Sequence, residues 1–139
     1  MQYDRVVLDT NSLLSSISRR GAAYSVWLGL QQGRYTLCVT NEILEEYEEV
    51  IGRKTTPGIA RNVIDFIMQM RNVELIDPHF HWNLISADPD DNKFVDCAFA
   101  ANATYIVSDD THYDVLRDLA FPQILVLKLQ AFIEKLKQM

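Results

Sequence analysis

The side chains best placed to do chemistry in this chain are carboxylates. Asp9 closes the apolar run Val6-Val7-Leu8. Glu46 lies within NEILEEYEEVIGR, Asp91 follows Asp90 in ADPDDNK, and Asp110 ends VSDD. A lone acid in such a place is commonly a cap or turn residue. Four acids delivered to one place would form an oxygen-rich group suited to a hard cation, Mg²⁺ or Mn²⁺. With cations bound, water is activated and the charge of a phosphodiester transition state is stabilised. Without them, the carboxylates repel each other and any anionic substrate.

The charge distribution points the same way. The net charge is -6 and the pI about 4.9, so the chain offers no simple basic clamp for nucleic acid. Residues 1–72 carry eight basic and eight acidic side chains, whereas residues 73–118 carry ten acids against Lys93 and Arg117. The acid-rich half therefore calls for solvation or a counter-cation.

The elements that would position these acids follow from hydrophobic spacing. The 139 residues, 48% hydrophobic and 23% charged, fit one globular domain, 1–139, and exclude a disordered or fibrous chain. No apolar run reaches the length of a membrane span. Val6-Val7-Leu8 reads as a strand buried on both faces, and Thr10, Asn11 and Ser12 as cap and turn residues. Residues 22–32 have helical spacing, closing at Gly33. A strand over 35–39 precedes the helix NEILEEYEEVIGR, capped by Thr40 or Asn41. Pro57 opens a helix with Ile59, Val63, Ile64, Phe66, Ile67 and Met70 on its apolar face. Strands are expected over 73–76, 104–107 and 123–127. Helices are expected over 94–103, 113–119 and 129–136, and 78–84 reads as loop.

Strands alternating with helices predict an α/β fold: a three-layer α/β/α sandwich around a parallel sheet of about five strands. In such sheets ligands bind beyond the carboxyl ends of the strands. Asp9, Asp91 and Asp110 fall there, and Glu46 lies on the helix after the second strand. At 100° per residue, Ile43, Leu44, Tyr47, Val50 and Ile51 define that helix's buried face. Glu46 and Glu48 flank the stripe. Glu46 is preferred for the site, with Glu45 as the alternative. Asp109 stays open as the alternative to Asp110.

With these residues placed, the whole chain resembles a PIN domain, and in particular the stand-alone PIN proteins that act as toxins of toxin–antitoxin systems. VVLDTNSLLS, TNEILEEYEEVIGR and DPDDNKFVDCAFAANATYIVSDD carry the resemblance. It implies a Mg²⁺- or Mn²⁺-dependent endoribonuclease. Asp9, Glu46, Asp91 and Asp110 would hold the metal and carry catalysis, with Asn11 and Ser108 in supporting places. Asp114 would take a fifth acidic position. It implies an RNA substrate, a cognate antitoxin and a cytoplasmic setting. The small acidic chain suggests a homodimer, with the apolar faces of 22–30 and 59–70 as candidate surfaces. The alternative is a non-catalytic PIN module that binds RNA or a protein partner. A Mg²⁺-dependent phosphatase of another Rossmann-like fold is less favoured, because Asn11 stands where it needs a second Asp.

Other chemistries fare worse. Asp88, Asp90 and Asn92 alternate as in a calcium loop, but Lys93 stands at the required Gly and Phe99 at the closing Glu. His79 and His81 lack further ligands at metal spacing, and His112 is distant in sequence. Cys38 and Cys97 sit in apolar contexts and are expected packed and reduced. Trp27 belongs to a helical apolar face and is expected in the core, whereas Trp82 lies in a polar loop and is the better candidate for a surface role.

Overall fold

The structure, a computed structural model, describes residues 3–138. Met1, Gln2 and Met139, the ends of the expected 1–139 span, lie outside the described residues. The chain runs β1 (Arg5–Leu8), α1 (Thr10–Ser16), α2 (Tyr24–Gln31), β2 (Thr36–Val39), α3 (Asn41–Lys54), α4 (Pro57–Gln69) and β3 (Val73–Leu75). It continues through a 3₁₀ turn (Pro89–Asp91), α5 (Asn92–Ala100), β4 (Tyr105–Val107), a second 3₁₀ turn (Thr111–Leu116), β5 (Val126–Leu127) and α6 (Leu129–Lys137).

The five strands form one sheet in the order β3-β2-β1-β4-β5, and every neighbouring pair is parallel. Val6, Val7, Leu8, Leu37, Cys38, Val39, Ile106 and Val107 are all fully buried. A parallel strand buried on successive residues must be covered on both faces. The fold is therefore the expected three-layer α/β/α sandwich. Chain direction from β1 proceeds outward through β2 and β3, then returns to β4 on the other side. The switch in strand order lies between β1 and β4, where the Asp9 amide donates to the Val107 carbonyl at 3.1 Å.

Local chemistry explains most boundaries. Thr40 caps α3 by accepting from the Ile43 amide, and Thr56 caps α4 by accepting from the Ile59 amide. Pro57 occupies the first turn of α4, where its missing N–H costs nothing. At the end of α5, Asn102 adopts φ 50°, and the Ala103 amide reaches back to Ala98 at 2.9 Å, a Schellman closure.

Three expectations change in detail. Residues after Asp9 form helix α1 rather than a turn, because the Asp9 carboxylate caps it through the Ser12 amide at 2.8 Å. The expected helix over 113–119 is the 3₁₀ turn Thr111–Leu116. On α4, Ala60, Val63 and Ile67 are buried, but Ile59 and Phe66 are 45% and 42% exposed. The sandwich covers only part of that apolar stripe. Trp27 is buried, as expected, and its ring lies 5.4 Å from that of Phe66. Cys38 and Cys97 are buried free thiols. Burial pushes Cys38 up to about 11 and Cys97 higher still.

Candidate metal and nuclease site

Asp9 is held at the end of β1 by its neighbours across the switch point. One carboxylate oxygen accepts the Ser12 amide, and the other accepts the Ser108 hydroxyl from the end of β4. Ser12 Oγ donates to the Val107 carbonyl at 3.2 Å. Burial raises the pKa of Asp9, and the hydrogen bonds from Ser108 and Ser12 oppose that rise. Ser108 is fully buried and also accepts the Asp110 amide at 3.0 Å. One serine thus ties the ends of β1 and β4 together.

Glu46 reaches the same edge from α3. Its neighbour Tyr47 is fully buried and donates its hydroxyl to the Leu8 carbonyl at 2.5 Å, which pins this turn of α3 against β1. Glu46 Oε2 accepts the Thr10 hydroxyl at the start of α1, and Oε1 meets Lys93 Nζ from α5 at 2.5 Å. Glu45 is exposed and turns toward Glu48, Glu49 and Arg61 in a cleft between α3 and α4. Of the two glutamates, Glu46 is the one brought to the site's edge.

Asp91 and Asp110 meet through His112. His112 Nδ1 lies 3.3 Å from Asp91 Oδ2 and 3.2 Å from Asp110 Oδ1. Asp110 caps its 3₁₀ turn through the His112 amide at 2.9 Å, and this turn places the imidazole. Burial pushes Asp91 up to about 6; the His112 hydrogen bond opposes this, while Asp88 and Asp110 add to it. Asp88, Asp91 and His112 each offer a ligand atom within 4.8 Å of the others. Asp109 Oδ1 accepts the Leu129 amide at the start of α6, at 2.9 Å, while the residue also borders the cleft beside Asp9 and Asp110.

One buried hydroxyl lies within the field of all four acids. Tyr113 is 1% exposed, and its hydroxyl has no hydrogen-bond partner among the described residues. Burial pushes its pKa up, and Asp91, Asp9, Asp110 and Glu46 all push it further the same way. An orphaned buried hydroxyl is costly unless something else satisfies it. Asp9 and Asp91 with raised pKa values, and ligand atoms of Asp88, Asp91 and His112 close together, suit a hydrated hard cation. Beside them a cleft of about 260 Å³ opens between Asp9, Asn11, Ser12, Ser15, Asp109 and Asp110.

Sequence reasoning missed Lys93, Thr10, His112 and Tyr113. A lysine two residues after an expected site acid was the available signal for Lys93, and the spacing Asp110-x-His112 that for the imidazole. Asn11 is exposed at the mouth of the cleft. Asp114, expected as a fifth acid, instead is exposed and pairs with Arg117 at 3.5 Å. The 3₁₀ path turns its side chain outward. His79 and His81 are exposed, and His81 meets the buried Asp96 at 3.2 Å. Trp82 is half-buried and stacks edge-on against Phe99 and Phe121.

None of the curated proteins is similar enough in sequence to count as a match. Among solved structures, the fold resembles the crystal structure of VapBC2 from Rickettsia felis bound to a DNA fragment from their promoter. The TM-score is 0.62 at 16% identity, covering 89% of this chain and 98% of that one. At that identity the likeness establishes the fold. The sequence model of the PIN domain matches residues 5–112, most of the chain and all four of the acids Asp9, Glu46, Asp91 and Asp110. The chain belongs to the PIN domain family.

Proposed function

We propose that residues 1–139 form one PIN domain that hydrolyses RNA as a divalent-metal-dependent endoribonuclease. The observation that supports this reading is the PIN-domain match over residues 5–112, which spans Asp9, Glu46, Asp91 and Asp110, beside ligand atoms of Asp88, Asp91 and His112 that lie within 4.8 Å of one another. Those four carboxylates would hold Mg²⁺ or Mn²⁺, whose chemistry is to make a bound water nucleophilic and to neutralise the phosphodiester.

The chain's own residues prepare that site. Ser108 and Ser12 fix the rotamer of Asp9, and Ser108 sets the turn that presents Asp110. His112 orients Asp91 against Asp110. The open cleft beside Asp9 and Asn11 admits a phosphodiester backbone, and strand ends on either side limit its approach.

The biological reading is the toxin of a toxin–antitoxin pair. It rests on the family and on the fold shared with VapBC2. The protein acts in the cytoplasm as a homodimer, with an antitoxin covering the acidic cleft. No described helix is long and apolar enough to cross a membrane. The exposed Ile59, Phe66 and Met68 on α4 and Leu28 on α2 offer apolar surface for association.

The test is direct. Purified protein is incubated with single-stranded RNA and Mn²⁺, Mg²⁺ or EDTA. Cleavage with either ion, lost in EDTA and in Asp9→Asn, is expected. Intact RNA under both ions would sink the nuclease reading and favour a non-catalytic binding module.

A further inference from the structure

Lys93 occupies an unusual position. Among the described residues, Asp9, Asp91 and Asp110 have no lysine or arginine partner, whereas Glu46 holds one at 2.5 Å. The Lys93 side chain is only 16% exposed. Burying an ammonium to that degree costs desolvation and side-chain entropy, which the Glu46 contact offsets. The pair spans α3 and α5 and stands where a cation is otherwise needed.

The same side chain borders a second opening. A cleft of about 480 Å³ runs along the ends of β2 and β3, its polar wall formed by Thr40, Asn41, His81, the acids Glu42, Asp77 and Asp96, and Lys93 as its single lysine. Lys93 therefore stands between the acid site and this neighbouring groove. Its basic character matters because it and Arg117 are the only Lys or Arg in residues 73–118. Arg117 is exposed and engaged by Asp114.

A lysine and a divalent ion cannot share Glu46 without cost, because like charges at a few ångströms repel. The lysine stem is long and flexible, with three donors and no fixed geometry. A divalent ion on Glu46 would displace the ammonium, and the adjoining cleft that Lys93 lines would be the space open to it. A ribose-phosphate backbone laid across the site would bring its non-bridging oxygens there. We propose that Lys93 is a substrate-phosphate ligand, stored on Glu46 as an internal counter-cation in the metal-free protein and released to an RNA phosphate when the site is loaded. This inference rests on the nuclease reading above.

Two quantities must then move in opposite directions. In Lys93→Met, which keeps the aliphatic stem, Mn²⁺ binding by titration calorimetry without RNA should tighten by about tenfold, since a competitor is gone. Cleavage of single-stranded RNA should fall by at least about tenfold in kcat/KM. The slope of log kcat/KM against log salt should shrink by about 0.7, the value of one lost single-strand phosphate contact. Lys93→Arg, which preserves the charge, should restore most of the cleavage and the salt slope.

Mn²⁺ binding and cleavage that weaken together in Lys93→Met would make the lysine a structural tie between α3 and α5 and overturn the proposal. So would a folded Lys93→Arg variant that is as inactive as Lys93→Met. Unchanged cleavage and salt slope in Lys93→Met would also overturn it. If the wild-type protein itself neither binds Mn²⁺ nor cleaves RNA, the nuclease reading fails first, and the proposal falls with it.

Discussion

The two wings of the acidic site are neutralised by different means. On one wing, Glu46 is already satisfied: Thr10 serves one oxygen and Lys93 the other. On the other wing, Asp91 and Asp110 share one imidazole edge, and Asp9 has only hydroxyl and amide partners. Asp9 and Asp91 both have pKa values raised chiefly by burial. The wing with Lys93 carries its own counter-charge, whereas on the other wing burial penalises the ionised Asp9 and Asp91, with neighbouring acids adding to it. Opposite responses to charge removal should follow.

The largest effect belongs to the uncompensated wing. Asp9→Asn or Asp110→Asn should lower RNA cleavage by at least about 100-fold while the fold survives, since a lost metal ligand forfeits several kcal/mol of transition-state stabilisation. Circular dichroism paired with an RNA cleavage assay reads both halves. Near-normal cleavage in either variant would remove that acid from the site.

A change outside both wings provides the contrast. Trp27→Ala should cost roughly 3–5 kcal/mol in denaturant unfolding, because a buried ring is deleted. Mn²⁺ affinity of the remaining folded protein should not change. A shift in affinity would mean that the core and the site are coupled.

Glu46→Gln tests the satisfied wing. It strands the Lys93 ammonium in a largely buried place, so the metal-free protein should lose about 1–3 kcal/mol. Asp91→Asn tests the other wing with the opposite sign. Removing a buried, charge-crowded carboxylate, worth about 1 kcal/mol, should raise the metal-free melting temperature by roughly 3–4 °C. Two variants that shift the melting point in the same direction would break the comparison.

The smallest effect is a pH slope. Asp91 has an ordinary value of 3.8 and is pushed up to about 6 in the fold. An acid with a raised folded pKa keeps its proton longer when folded. Its contribution is therefore fullest below pH 3.8 and falls as pH rises to about 6. Metal-free unfolding measured across that window should show this decline, and Asp91→Asn should flatten it. An identical slope in both proteins would assign the titration to other groups.

Some of this site was legible from local sequence and some was not. Asp9 and Asp110 end apolar strands, and strand ends are where open parallel sheets bind ligands. Glu46 followed from helical angles, because only a residue beside the stripe Ile43-Leu44-Tyr47 can reach an adjacent edge. Asp114 differs from its expected setting. The expected α-helix became a 3₁₀ turn, whose tighter path sends that side chain to solvent and brings His112 inward.

Alternation of buried strands with amphipathic helices determined the fold class, because period and burial are written locally in residue type. The cap at Thr40, left open with Asn41, the helix start at Pro57 and the strand-end acids belong to that local record as well. The pairing of Glu46 with Lys93, 47 residues apart, does not. It depends on how α3 and α5 settle against one another over the sheet. The same packing left the Tyr113 hydroxyl without a partner among the described residues and left Ile59 and Phe66 of α4's apolar stripe exposed. Periodicity says which residues seek burial, but only the three-dimensional arrangement of neighbours decides which obtain it and which charges must meet.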